Sequence, residues 1–134
     1  GGNIVKYQES RISRLETLAV KNIANFAKCL SDDTRLRIIR MLAERDLCVQ
    51  ELTDILKAPQ ARVSQHLMRL RSEGIVDDRR DGRRVIYSLN KKNLKLKIKK
   101  LKRFFFTDIR PDGMLADEFG RLDTLGREKP PSTP

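Results

Sequence analysis

QARVSQHLMRLRSEGIVDDRRDGRRVIYSL, residues 60–89, divides into a helical half and an alternating half. Val63, Leu67 and Leu70 fall at i, i+4 and i+7 and so share one helix face, while Arg62, Ser64, Gln65 and Arg69 point elsewhere. Gly74 stops the helix. Beyond it, two runs alternate around Asp81-Gly82, a strong short-range hairpin signal, and Arg79, Arg80, Arg83 and Arg84 flank the turn. A helix with a polar, hydrogen-bonding outer face beside a hairpin tipped with four arginines suits a polyanion. The stretch therefore predicts a recognition helix and a wing that bind duplex DNA. Gln60, Arg62, Ser64 and Gln65, near the helix N-terminus, are expected to reach base edges or phosphates; Arg69 and the wing arginines are expected at phosphates or in the minor groove.

Upstream, Lys57-Ala58-Pro59 breaks a short helix running from about Gln50 to Leu56 on Leu52, Ile55 and Leu56. Two short helices joined by so brief a turn form a helix-turn-helix. Asp46 to Val49 reads as a connection. Before it, a helix carrying Leu36, Ile39 and Leu42 runs to about Glu44, opened by the capping oxygens and first-turn acids of Ser31-Asp32-Asp33-Thr34. From about Gln8 to Leu30, the residues Ile12, Leu15, Ala19, Ile23, Phe26 and Leu30 recur at spacings of three and four, which predicts one long helix. Downstream, Leu94, Leu96 and Ile98 alternate like a strand, but the longer series Leu94, Ile98, Leu101 and Phe105 favours a helix over Asn90 to Phe106.

The expected fold class is mostly α with a small β-hairpin: a winged helix-turn-helix of order ααααββα. The apolar stripes of its first and last helices would pair two copies as a homodimer. Residues 10–107 would form this domain. Residues 1–9 would be an N-terminal arm, with Gly1-Gly2 compatible with an expression remnant. Residues 108–134 would be a partly disordered extension in which Met114 to Phe119 makes a turn or two of amphipathic helix.

A length of 134 residues suits one domain, and a net charge of +11 with a pI near 10.1 makes nucleic acid the default partner, ahead of an acidic membrane surface. No apolar run approaches the roughly 18 residues of a spanning helix, and the N-terminus lacks a signal-peptide core, so a cytoplasmic protein with no membrane partner is expected. Two cysteines, Cys29 and Cys48, are too few for a secreted disulfide framework.

The run Leu30-Ser31-Asp32-Asp33-Thr34-Arg35-Leu36-Arg37-Ile38-Ile39, the segment Leu47-Cys48-Val49-Gln50-Glu51-Leu52, the run Val63-Ser64-Gln65-His66-Leu67 with Leu70 and Glu73-Gly74, and the wing Asp81-Gly82-Arg83-Arg84-Val85-Ile86-Tyr87 together resemble the ArsR/SmtB family over roughly residues 10 to 107. That resemblance implies a bacterial winged-helix repressor that binds an inverted-repeat operator as a homodimer through helices one and five and releases it when a metal, metalloid or other inducer binds. The family's arsenic-sensing branch carries Cys-Val-Cys where this chain has Cys48-Val49-Gln50, and Thr53 stands where a further cysteine sometimes lies. Its zinc-sensing branch carries histidines on the last helix, and residues 91–108 contain none. Neither metal site is intact, which leaves Cys48 and Cys29.

Competing readings stay open at this level. Cys29 and Cys48 are either inert core residues or a two-thiol sensor of oxidation, persulfide, trivalent arsenic or another soft metal ion; Cys48, near a helix N-terminus, is the one favoured for thiolate chemistry. His66, the single histidine, reads as a structural hydrogen-bonding residue, with no cysteine or histidine at i+3 or i+4 to join it on a metal. The basic strip from Lys91 to Lys102 and Arg103 is a solvated face before it is a second DNA-contacting surface, and Phe104-Phe105-Phe106 is core or dimer packing before it is an inducer pocket. A basic RNA-binding or structural protein is disfavoured by the absence of Trp and the small number of Tyr and Phe. An enzyme using Cys48 as nucleophile with His66 as base is the least favoured, so no enzyme is expected, and the candidate bound ion is trivalent arsenic or another soft metal ion.

Overall fold

The computed structural model describes residues 2–106, 110 and 114–126, without the side chains of residues 7, 9–13 and 15–17. The element order is α1 Gly2–Cys29, α2 Asp33–Glu44, β1 Leu47–Cys48, α3 Val49–Leu56, α4 Gln60–Ser72, β2 Val76–Asp81, β3 Arg84–Leu89, α5 Lys91–Phe105 and α6 Ala116–Asp123.

Local chemistry sets the boundaries that aim the site. The Asp32 carboxylate accepts from the Arg35 backbone N–H at 3.0 Å and caps α2. Lys57, left-handed at φ 51°, ends α3 two residues before Pro59, so α4 starts at once at a new angle. Gly74 ends the α4 segment at φ +71°. A Cβ there would sit 2.6 Å from the Asn93 amide, which donates to the Gly74 carbonyl at 2.7 Å. The turn therefore uses both the glycine's backbone freedom and its bareness.

The core gathers Phe26 and Cys29 from α1, Ile38 and Leu42 from α2, Leu47 from β1 and Leu52 from α3 with Val63, Leu67, Leu70, Ile75 and Val76 from α4 and its continuation into β2. Val63, Leu67 and Leu70 are wholly buried, as their spacing predicts. Each such burial contributes about 1.5–3 kcal/mol, more than a cap or a surface ion pair, so this seam sets the angle at which α4 leaves the body.

Several expectations shift. Residues 47–48 are a strand and not merely part of a connection: β1 pairs antiparallel with β3, giving a three-stranded sheet of order β1-β3-β2. The tight turn of the hairpin falls one residue later than Asp81-Gly82, because Asp81 and Arg84 face each other and Gly82-Arg83 form the loop. Only Gly82 has positive φ there, +63°, the pattern of a type II′ turn. Helix α1 starts at Gly2, ahead of the expected Gln8. In α2 it is Ile38 and Leu42 that are buried, while Leu36 is exposed, as Ile55 is on α3. The α5 stripe divides: Leu94 and Leu101 pack on the core, whereas Ile98 and Phe105 face outward. The amphipathic turn expected near Met114 is the two-turn helix α6. The side chains of Ile12 and Leu15 and the tail from residue 127 lie outside the described residues.

Candidate nucleic-acid interface

Helix α4 has no side-chain N-cap, since Pro59 precedes it, and its first intrahelical bond runs from the Val63 N–H to the Pro59 carbonyl. The amides of Gln60, Ala61 and Arg62 are thus orphan donors at the positive end of the helix dipole, an arrangement suited to a phosphate. Around them Gln60, Arg62 and Gln65 are exposed and Ser64 is half-buried; Arg62 and Gln65 lie on the side of α4 away from the Val63–Leu67–Leu70 seam, and Gln60 is exposed at the first position of the helix. None of Gln60, Arg62 and Gln65 is engaged by another described residue. Arg69, in the second half of the helix, is exposed but stands close enough to the Cys29 thiol to act on its ionisation.

The wing arginines divide two and two. Across the hairpin, Arg79 lies opposite Ile86 and Asp81 opposite Arg84, so Arg79 and Arg84 share one face; Arg80, opposite Val85, is on the other. Arg79 pairs with Asp46 at 2.8 Å, and Arg84 with Glu51 at 2.9 Å while also donating to the Cys48 sulfur at 3.1 Å. One face of the wing is thereby tied to the β1–α3 corner. The other is tied to α4, where Arg71 meets Asp78 at 2.9 Å. Arg80 and Arg83 are exposed and form no ion pair or hydrogen bond among the described residues. Sequence reasoning missed Asp46, Glu51, Arg71 and Asp78, because pairings across the sheet leave no local periodicity to find.

His66 joins the recognition helix to α2. Its Nδ1 lies 3.2 Å from Nη1 of Arg35, and since a guanidinium only donates, Nδ1 accepts and the ring proton sits on Nε2, 3.8 Å from the Asp32 carboxylate. Arg35 also donates to the carbonyls of Cys29 at 2.7 Å and Lys28 at 3.1 Å, closing the C-terminus of α1. The structural reading of His66 is the one its bonds support.

The family described as "Bacterial regulatory protein, arsR family" matches residues 32–78, from the cap of α2 to the third residue of β2. A cadmium resistance transcriptional regulatory protein CadC homolog of Staphylococcus aureus is 36% identical over 97 residues, which span 69% of this chain and 80% of that protein. The chain belongs to the arsR family. The arsenic resistance transcriptional regulator ArsR1 of Pseudomonas putida is 50% identical over 64 residues, covering 47% of this chain and only half of that relative's length. Among solved structures, reduced HlyU from Vibrio cholerae superposes with a TM-score of 0.53 at 32% identity, over 66% of this chain and 93% of that one. The fold is a winged helix-turn-helix, shared with the winged helix-turn-helix domain Mb0332 from Mycobacterium bovis at a TM-score of 0.57 and 21% identity over 72% of this chain and 92% of that one, and no helix of the described residues is long and apolar enough to cross a membrane.

The two cysteines of this arsR-family chain have different surroundings. Cys29 is fully buried in the core, and burial pushes its thiol above the ordinary value, with Arg35 and Arg69 pulling the other way. Cys48, also buried, ends β1 and is the N-cap position of α3, and its backbone N–H donates to Glu51 at 3.0 Å. That bond, ahead of Arg84, holds the Glu51 carboxyl below the usual glutamate range. The partners of the two thiols do not overlap, and both are free. Among the described residues no three His, Cys, Asp or Glu converge as a metal site. Nor does a hydrogen bond join Cys48 to His66, and the nucleophile and base of the enzyme reading are not assembled.

Proposed function

We propose that the protein is a transcriptional repressor that binds an inverted-repeat operator as a two-fold dimer. The N-terminal half of α4 enters the major groove, and Arg80 and Arg83 hold phosphates or the minor groove beside it. The observation that carries this reading is the exposed set Gln60, Arg62 and Gln65 around the uncapped amides of α4, together with two wing arginines, Arg80 and Arg83, that form no ion pair or hydrogen bond among the described residues. Arg79 and Arg84 set the angle of the wing instead of contacting DNA. The dimer is favoured by exposed apolar residues on the two helices expected to pair: Ile98, Phe105 and Phe106 at 47%, 63% and 83% exposure on and just after α5, and Ile4, Val5 and Leu18 on α1. Binding of duplex DNA against single-stranded RNA, with sedimentation of the free protein, tests the reading; a monomer at micromolar concentration, or a preference for the RNA, would overturn it.

Release by a thiol-directed inducer through Cys48, with Cys29 as the only second sulfur, is a further part of the reading. It is favoured by the Arg84 guanidinium at the Cys48 sulfur, which couples any change there to the wing, and by relatives named for arsenic and cadmium resistance. Trivalent arsenic or another soft ion bound by so few sulfurs within one chain would need further donors. Operator release by arsenite, a persulfide donor and peroxide, compared in wild type, Cys48→Ser and Cys29→Ser, tests it. A Cys48→Ser protein that responds like wild type to all three sinks the thiol route.

A further inference from the structure

Two polar joints hold α4 to its neighbours. At its C-terminal end, the Asn93 amide of α5 donates to the carbonyls of Gly74 at 2.7 Å and Glu73 at 3.4 Å. Half-way along, the Arg35 guanidinium uses all three of its nitrogens at once. Its Nε donates to the Cys29 carbonyl at 2.7 Å, Nη2 to the Lys28 carbonyl at 3.1 Å and Nη1 to Nδ1 of His66 at 3.2 Å. Lys28 and Cys29 are the last two residues of α1, where orphan carbonyls form the negative end of the helix dipole and suit a cation. One planar side chain from α2 thereby ties the end of α1 to the middle of α4. The His66 side chain is only 14% exposed, so the bond is largely shielded from water. Asp32, 3.8 Å from Nε2, favours the proton on that nitrogen and leaves Nδ1 free to accept.

We propose that Arg35 and His66 are positioning residues for duplex recognition: they fix the direction of α4 relative to α1, and with it the spacing of half-sites that two copies accept. The inference rests on the duplex-binding dimer proposed above. A helix pinned at one end can swing. His66 precedes Glu73 by seven residues, about 10 Å along the axis, and a second joint there removes that freedom. The buried seam of Val63, Leu67 and Leu70 resists separation but does not fix direction, because apolar burial is non-directional while a hydrogen bond requires alignment. Gln60 and Arg62 lie beyond the joint, so a small rotation at His66 displaces them. With its nitrogens occupied inside the protein, Arg35 acts on the duplex only through α4.

The test uses the duplex that the wild-type protein enriches from a random library, and copies of it with the spacer between half-sites lengthened or shortened by one base pair. Wild type is expected to lose at least about tenfold in affinity on the altered spacers, because the rigid joint cannot follow a half-site that has moved. Arg35→Met should lose less than about threefold there, with its choice of bases inside each half-site unchanged. Arg35→Lys should behave like Arg35→Met, since an ammonium keeps the charge but not the fork that reaches three acceptors. His66→Asn, whose Oδ1 stands in for Nδ1, should keep the wild-type discrimination, and His66→Leu should lose it. The His66 pair leaves the two bonds to α1 in place and decides the matter even if Arg35→Met does not fold.

Nitrogen NMR of the single histidine reads the joint without DNA. The ring should carry its proton on Nε2 in wild type, and the Nδ1 resonance should move in Arg35→Met or Arg35→Lys as its donor is lost. Wild-type spacer discrimination in His66→Leu or in Arg35→Lys, or a His66→Asn protein as permissive as His66→Leu, would overturn the positioning role. An Nδ1 resonance that ignores the loss of Arg35 would overturn the joint itself. A wild-type protein that enriches no duplex would overturn the regulator reading and the spacing claim with it, whatever the histidine signal shows.

Discussion

The Arg84 guanidinium meets the Cys48 sulfur at 3.1 Å and the Glu51 carboxylate at 2.9 Å, so a single wing residue joins the hairpin to the first turn of the helix that precedes the recognition helix. With Arg79 on Asp46, half of the wing's positive charge is used inside the protein. Both pairs are well exposed, and solvent screening leaves such pairs little net stability. Arg79→Ala and Arg84→Ala should therefore barely lower stability and should leave the salt dependence of duplex binding near the wild-type slope. Arg80→Ala and Arg83→Ala should each flatten it by about one unit, as loss of a phosphate contact requires. Titrations at several salt concentrations check this; a flattened slope in Arg84→Ala would return it to the phosphate set.

The thiols should differ in reactivity. Burial raises the Cys29 thiol and leaves it no exposed surface, whereas Cys48, although also buried, keeps 6% exposure, so native protein should alkylate more slowly at Cys29 than at Cys48. Mass spectrometry of iodoacetamide-treated protein measures both rates. Equal rates would contradict the core assignment of Cys29.

Asp32 supplies an acid-side prediction. The Arg35 backbone N–H, first among its causes, lowers its carboxyl below the ordinary 3.8. Its stabilising effect is present above that value and is lost as pH falls through the lowered folded value. Asp32→Ala should cost about 1 kcal/mol at neutral pH, the usual loss for an N-cap, and the gap to wild type should close below about pH 3.8. Asp32→Asn, a cap that does not titrate, should remove this contribution to the pH dependence. A gap that widened in acid would show the sign to be wrong.

Two substitutions probe the seam and its exit. Leu67→Ala, at a site with no exposure, should destabilise by about 2–5 kcal/mol. Gly74→Ala should cost roughly 1 kcal/mol or more, because its φ of +71° is strained for alanine and its Cβ would displace the Asn93 amide. Chemical denaturation reads both, and a neutral Gly74→Ala would remove the reason given for that turn.

Much of the fold could be read from periodicity. The seam Val63, Leu67 and Leu70 lies where i, i+4, i+7 puts it, and α5 is helical although Leu94, Leu96 and Ile98 alternate, with Leu94 and Leu101 of the longer repeat packing on the core while Ile98 and Phe105 face outward. What escaped was non-local. Leu47-Cys48 is too short to show a strand period and becomes one only by pairing with Ile86 and Tyr87. The division of the wing arginines was hidden likewise, since Asp46 and Glu51 lie 33 residues from their partners. Leu36 and Ile55 misled because an apolar residue on a short helix can remain exposed without penalty to the core.

The central claim is that the N-terminal face of α4 reads duplex DNA, and selection from a random duplex library tests it most directly. The wild-type protein should enrich an inverted repeat with half-site centres about 34 Å apart, or a multiple of that. Gln65→Ala should relax the choice at particular base pairs by roughly 1–3 kcal/mol while keeping the spacing. Failure to enrich any sequence, or a Gln65→Ala protein that selects the same site with the same stringency, would contradict the account.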